Sequence, residues 1–258
     1  MSKIFDALRK SHAAESLHAT PHAEPALHTA VEPEPVRPAE IDVNPSGLDL
    51  PLEFSRELGT LRGTVDQLLP GRTQRTLLVA GAVEGEGAST IASAFARLLA
   101  DDDRVRVVLV DADLRSRERR LPSVESESGF PGVLAGHLAV EQALVGTTLP
   151  NLVVLPGGMV QDSPLRLCTA DNCRVILDYL RRHFHFVIVD GAPILDSPEM
   201  MALASQVDGT LLVVRAARTK REVVQRAKET VEKFQGRVLG AILNRQQYVI
   251  PEFIYRRI

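Results

Sequence analysis

At 258 residues, with 45% hydrophobic and 24% charged side chains, the chain has the make-up of a soluble globular protein and enough apolar mass for a substantial core. Its formal charge of −3 is mild: residues 1–50 carry −4 and the remainder +1, which argues against nucleic acid as a partner. No apolar run nears the roughly 18 residues of a membrane span and no signal-peptide core opens the chain. With only Cys168 and Cys173 present, the expected setting is the cytoplasm, with reduced structural thiols.

Residues 1–10 read as a short helix with Ile4, Phe5 and Leu8 on one side, either a frayed end or a docking peptide for a partner or a membrane surface. Residues 11–47 are rich in Ala, His, Pro and Glu without sustained periodicity. They hold too little apolar surface to offset the entropy of ordering, so disorder is expected. His12, His18, His22 and His28 lie there, but Pro21 spoils the helical spacing of His18 and His22, which argues against a metal site. A single domain is expected over 48–245, with a tail over 246–258. From Glu53 to Leu69, Phe54, Leu58, Leu61, Val65 and Leu69 follow a 4-3-4-4 spacing, which predicts an amphipathic helix that Gly59 and Gly63 weaken.

A predicted strand at about Thr76–Ala80 runs into the turn Gly81 to Gly87, and a helical pattern (Ile91, Phe95, Leu98, Leu99) begins at once. Strand, glycine-bearing loop and helix in this order form the context of a phosphate-binding loop, where backbone N–H groups and a helix N-terminus converge on an anion. Gly87 and Ser89 stand where G-x-x-x-x-G-K-[ST] has its second glycine and its hydroxyl. Ala82 replaces the first glycine and Ala88 replaces the lysine.

The second predicted strand, Val107–Val110, ends at Asp111-Ala112-Asp113, two carboxylates spaced to face one side of a nucleotide at a strand's carboxyl end. After a polar region come Gly132 to Gly136, a strand at Leu152–Leu155 and a helical pattern across Leu165–Leu180. Phe186 to Val189 is a solid apolar run, the mark of a strand buried on both faces. It ends in Asp190 before Gly191-Ala192-Pro193, where an acid is a usual partner of Mg²⁺ beside nucleotide phosphates. A helix over Pro198–Ser205, a strand at Gly209–Val214, a helix through Val223 to Phe234 and a strand at Val238–Leu243 complete the alternation. Such alternation predicts an α/β fold, a doubly wound and mostly parallel sheet with helices on both faces.

These three stations, in this order, resemble the Walker A, Walker A′ and Walker B motifs of bacterial tyrosine autokinases, within the MinD/ParA-like branch of P-loop proteins. Glu86-Gly87-Ala88-Ser89-Thr90 is similar to the family's Walker A loop with the lysine lost. Val108 to Arg115 is similar to Walker A′, and Val189 to Pro193 to Walker B. Asp208 to Val214, Thr219-Lys220-Arg221-Glu222 and Leu243-Asn244-Arg245 extend the likeness, and Met1–Lys10 is similar to starts seen in the exopolysaccharide and exosortase-locus subgroup.

The resemblance implies a nucleotide-binding protein for ATP or ADP with Mg²⁺. Backbone N–H groups of Gly85, Glu86, Gly87, Ala88, Ser89 and Thr90 would cradle the phosphates, and Asn244 would contact adenine. Ser89 and Asp190 would serve the metal, Asp111 would accept the proton of a tyrosine hydroxyl, and Asp113 would support metal and water. Tyr248 and Tyr255 would be the phosphoacceptors. It also implies a membrane adaptor of the polysaccharide chain-length type as partner, recruitment to the inner membrane face, and self-association in a ring. Gly59, where the family's ring-forming helix carries an arginine, departs from that last expectation. Ala88 departs furthest: no lysine occurs from Arg72 to Arg115, so catalysis is expected to be weakened while nucleotide binding persists. Two alternatives stand beside this reading: an active autokinase, and a positioning ATPase of the division or partition type. The latter needs a membrane-binding terminal helix that Pro251 interrupts.

Overall fold

The strands are the sequence's least ambiguous feature, because runs such as Thr76-Leu77-Leu78-Val79-Ala80 leave no polar face for water. A computed structural model describes residues 52–114, 129–158 and 163–246; the expectations for 1–10, 11–47 and the tail tyrosines Tyr248 and Tyr255 lie outside the described residues. In chain order the described elements are α1 (Leu52–Leu68), β1 (Arg75–Gly81), α2 (Ala88–Ala100), β2 (Val107–Asp111), α3 (Phe130–Leu134), α4 (Val140–Ala143), β3 (Val145–Gly146), β4 (Leu152–Leu155), α5 (Pro164–Leu167), α6 (Ala170–His183), β5 (Phe186–Asp190), α7 (Met200–Ala204), β6 (Gly209–Arg215), α8 (Arg221–Lys233) and β7 (Val238–Asn244).

The strands form one sheet in the order β3-β4-β2-β5-β1-β6-β7. All neighbours pair parallel except β3 and β4, a short antiparallel edge that pairs Val145 with Val154 and Gly146 with Val153. The mostly parallel, doubly wound sheet is therefore as expected. The two-residue β3 was too short to leave a periodic signal.

Side chains alternate across a strand, so each strand feeds two cores. On one face Leu78, Ala80, Val108, Val110, Val187 and Val189 pack with Cys173, Ile176 and Leu177 of α6, Met200 and Leu203 of α7, and Ala227 and Val231 of α8. On the other, Leu77, Val79, Val107, Leu109 and Ile188 pack with Leu58 and Val65 of α1 and Ile91, Phe95 and Leu99 of α2. Each such buried large side chain stabilises the fold by about 1.5–3 kcal/mol. That packing carries α1 unbroken through Gly59 and Gly63.

One predicted helix is corrected. Leu165–Leu180 is two helices, α5 and α6, parted at Cys168 and Thr169. Thr169 caps α6 by accepting from the Asn172 N–H at 3.2 Å, and the Asn172 side chain donates to the Leu167 carbonyl at 3.0 Å. These hydroxyl and amide bonds compete with the helical ladder and outweigh a continuous apolar period. No helix among the described residues is long and apolar enough to cross a membrane.

Candidate functional site

The loop from β1 to α2 is shaped from within. Gly85 and Gly87 take φ values of 80° and 89°, the left-handed region that a side chain resists, and a Cβ at Gly87 would collide with the Asn244 amide. Glu86 is 3% exposed. One of its carboxylate oxygens accepts the Ala82 N–H at 2.5 Å and the Val83 N–H at 3.1 Å, and the other accepts the Thr219 hydroxyl at 2.6 Å. A buried carboxylate without donors would be costly; with them it fixes the loop's shape. The Asn244 amide donates to the Glu86 carbonyl at 2.8 Å, while its own carbonyl accepts the Arg245 N–H at 2.8 Å. Of the residues expected to cradle phosphates, Glu86 therefore has its side chain turned inward and only its backbone to offer. Asn244 braces the loop at the end of β7.

Past the loop, Gly87 stands at the N-cap of α2, and the first bond of the helix runs from the Ile91 N–H to the Gly87 carbonyl at 3.1 Å. A helix start directs its first N–H groups outward with a partial positive charge. This first turn holds Ala88, Ser89 and Thr90 and has no acid to neutralise that charge. The Ala88 methyl packs against the core that α2 shares with α1, where the sequence pattern calls for a cation reaching forward.

The acids arrive from the neighbouring strands. Parallel pairing of β2 with β5 sets Asp111 opposite Asp190, and the Ala112 N–H donates to the Asp190 carbonyl at 2.8 Å. Asp111 accepts the Asp113 N–H at 3.3 Å. The backbone of Gly157 lies against Asp111, so that a Cβ there would sit 2.5 Å from its carboxylate. The segment after β5 is stitched to the loop: the Gly191 N–H donates to Val79, and the Ile194 N–H to Gly81, each at 2.9 Å. Asp111, Asp113 and Asp190 thus share one sheet edge with Gly85 to Thr90. A magnesium ion bound with nucleotide phosphates takes only one or two protein ligands. Ser89 in the first turn of α2 and Asp190 at the end of β5 have the chemistry it requires. Among the described residues no group of three or more His, Cys, Asp or Glu forms a cage on its own.

Reading along the sequence missed what lies on the other side of the loop. Because β6 is the neighbour of β1, the connection from β6 to α8 runs beside Val83 to Glu86. Arg215 at the end of β6 and Arg218 and Lys220 on that connection line a cavity of about 350 Å³ together with Glu84, Gly85 and Glu86. No lysine lies between Arg72 and Arg115, but these cations reach the loop from far downstream in sequence, as the Glu86–Thr219 bond, spanning 133 positions, shows. The stretch Thr219-Lys220-Arg221-Glu222 was the available signal, but without the strand order it had no address.

No family model matches the chain. It is 30% identical over 177 residues to the tyrosine-protein kinase CpsD of Streptococcus agalactiae, covering 68% of this chain and 77% of that one. The kinase domain of Escherichia coli tyrosine kinase ETK superposes with a TM-score of 0.68 at 24% identity, over 76% of this chain and 79% of the other. A variant of Cyanothece McdA solved as an ATP complex superposes with a TM-score of 0.56 at 20% identity, over 67% and 71%. With the loop, the paired acids and the sheet order already in place, the likeness to CpsD establishes that the chain belongs to the bacterial tyrosine autokinase family.

Proposed function

We propose that the chain binds Mg²⁺-ATP or Mg²⁺-ADP at the loop between β1 and α2, and that its phosphoryl transfer is weakened by Ala88. On this reading it serves as a regulator or scaffold in exopolysaccharide or capsule synthesis and export. The observation that carries the reading is a methyl group at position 88 in a loop otherwise preorganised for phosphate, facing acids in register on β2 and β5.

Backbone N–H groups from Gly85 to Thr90 hold the phosphates, and the partial charge at the start of α2 favours them. Ser89 and Asp190 would hold a magnesium ion, which would supply positive charge beside the phosphates. Asp111 orients a tyrosine hydroxyl and takes its proton, with Asp113 behind it. Phosphoryl transfer is positioning plus charge stabilisation, so loss of one such cation costs on the order of 10²–10³ in rate. Ground-state binding suffers less, because the amide dipoles remain. The expected acceptors are Tyr248 and Tyr255, the expected partner is a membrane adaptor of the polysaccharide chain-length type that recruits the protein to the inner membrane face, and ring assembly is weakened at Gly59.

Mass spectrometry of the tail after incubation with Mg²⁺-ATP tests this. Wild type is expected to show sparse modification of Tyr248 and Tyr255, and Ala88→Lys to accelerate it. Rapid tail phosphorylation by wild type, unchanged in Ala88→Lys, would support instead the active autokinase that the register of Asp111 with Asp190 also favours.

A further inference from the structure

The cavity beside the phosphate loop has a charge pattern that the reading above leaves unused. Arg215, Arg218 and Lys220 line it, and among the described residues none of the three pairs with a carboxylate. Arg218 and Lys220 are exposed and flank Thr219, whose hydroxyl is held by buried Glu86 at 2.6 Å. The Arg215 N–H also faces the second Glu86 oxygen, at 3.5 Å. The acid of the loop therefore pins the residue between two cations. The backbone of Arg218 and Lys220, one position either side of this anchor, is thereby held beside the loop.

Two acids share the cavity wall. Glu86 accepts from Ala82, Val83 and Thr219, so its charge is largely answered, and Glu84 is exposed. Three cations against one unspent acid leave the cavity positive. Lys220 is also the N-cap of the 13-residue helix α8 and makes no side-chain cap bond, while Glu222 in the first turn offsets the partial positive charge of that helix start, so the side-chain cations carry the argument.

From this we infer that Arg218 and Lys220 replace the missing lysine in the ground state, binding the polyphosphate of a nucleoside di- or triphosphate from the β6–α8 side of the loop. The inference rests on the nucleotide-binding reading. It explains how affinity survives a methyl group at position 88. A cation approaching from the flank secures the phosphates without standing between the reacting oxygens, which separates binding from turnover.

Calorimetry with Mg²⁺-ADP and Mg²⁺-ATP tests it on the full chain, with four proteins: wild type, Arg218→Gln/Lys220→Gln, the charge-keeping swap Arg218→Lys/Lys220→Arg, and the glutamine pair combined with Ala88→Lys. Charge-assisted bonds of this kind correspond to a loss of roughly 10- to 100-fold in affinity when removed. The glutamine pair is expected to lose that much, the swap to keep wild-type affinity, and Ala88→Lys to restore most of the loss. Raising salt should weaken wild type more than the glutamine pair. Both residues are exposed, so thermal unfolding of all four proteins should coincide. If the glutamine pair binds as tightly as wild type, the inference falls and the nucleotide reading stands. Equal loss in the swap and the glutamine pair also overturns it, since charge would not be the cause. If wild type binds no nucleotide, both fall together.

Discussion

The two ends of the central strands use polar residues in opposite ways. At the amino end most groups are answered by another group of the protein, the buried Arg75 Nε and Thr210 Oγ1 being exceptions. Asp208 accepts the Thr76 N–H at 2.8 Å and pairs with Arg72 at 2.6 Å; Arg181 donates to the Thr76 hydroxyl at 3.0 Å, to Asp178 at 2.8 Å and to the Gln206 carbonyl. Arg75 pairs with Asp66 at 3.0 Å over the Phe186 ring, and the His185 ring accepts the Arg106 N–H at 2.9 Å. At the carboxyl end, acids, outward amides and cations border a cavity and a helix start. The first arrangement closes a sheet; the second surrounds the loop that the proposed function assigns to a nucleotide. Both ends lie on the same strands, so stability and binding should respond separately to substitutions at each.

The largest expected effect comes from restoring the carboxyl end. Ala88→Lys should raise the rate of tail phosphorylation by on the order of 10²–10³ while changing nucleotide affinity far less, read from single-turnover kinetics beside calorimetry. A gain in affinity with the saturated rate unchanged would mean that the lost cation served binding alone.

Glu86→Ala should do the next greatest damage, because it leaves the Ala82 and Val83 N–H groups without their acceptor inside the loop. A cost of about 1–3 kcal/mol in unfolding free energy is expected, with nucleotide affinity falling too because the amides lose their arrangement. Full affinity in this variant would show that the loop holds its shape unaided.

Asp208→Ala, at the opposite end, should cost a similar or smaller amount of stability, about 1–3 kcal/mol, and leave nucleotide affinity as it was. Denaturant unfolding and calorimetry on one preparation decide this. A large loss of affinity would erase the distinction between the two ends.

The smallest effect is at Tyr179, on α6 between Asp178 and Arg181. Burial, reinforced by nearby Glu141, pushes its hydroxyl up to about 12, and its ring stacks on His183 with centroids 4.3 Å apart. The unfolded phenol ionises near 10, so the folded state holds the proton more tightly. That contribution is complete below about pH 10 and fades as the pH climbs towards 12. Ultraviolet titration of wild type against Tyr179→Phe should isolate one late-ionising phenol. Ionisation in the ordinary tyrosine range would contradict its burial.

Much of this was legible in the residues. Solid apolar strands announced a parallel sheet, since burial on both faces demands such runs, and the loop and the acids at strand ends marked one edge of it as the candidate site. What stayed hidden depends on which strands are neighbours. β6 lies far downstream of β1 in sequence yet pairs with it, Leu77 opposite Gly209, and only that adjacency brings Arg218 and Lys220 to the loop. Glu86 in the sequence is one more acid of a glycine-rich turn; its inward carboxylate follows from the fold around Thr219. The break between α5 and α6 was written in Thr169 and Asn172, but the apolar period across it was read first.

Titration of the unmodified protein with Mg²⁺-ATP and Mg²⁺-ADP in a calorimeter tests the central claim most directly. Saturable heat with one nucleotide per chain is the predicted result, despite the methyl group at position 88. Absence of any binding at millimolar nucleotide would contradict it, and would leave the carboxyl edge as a frame without its ligand.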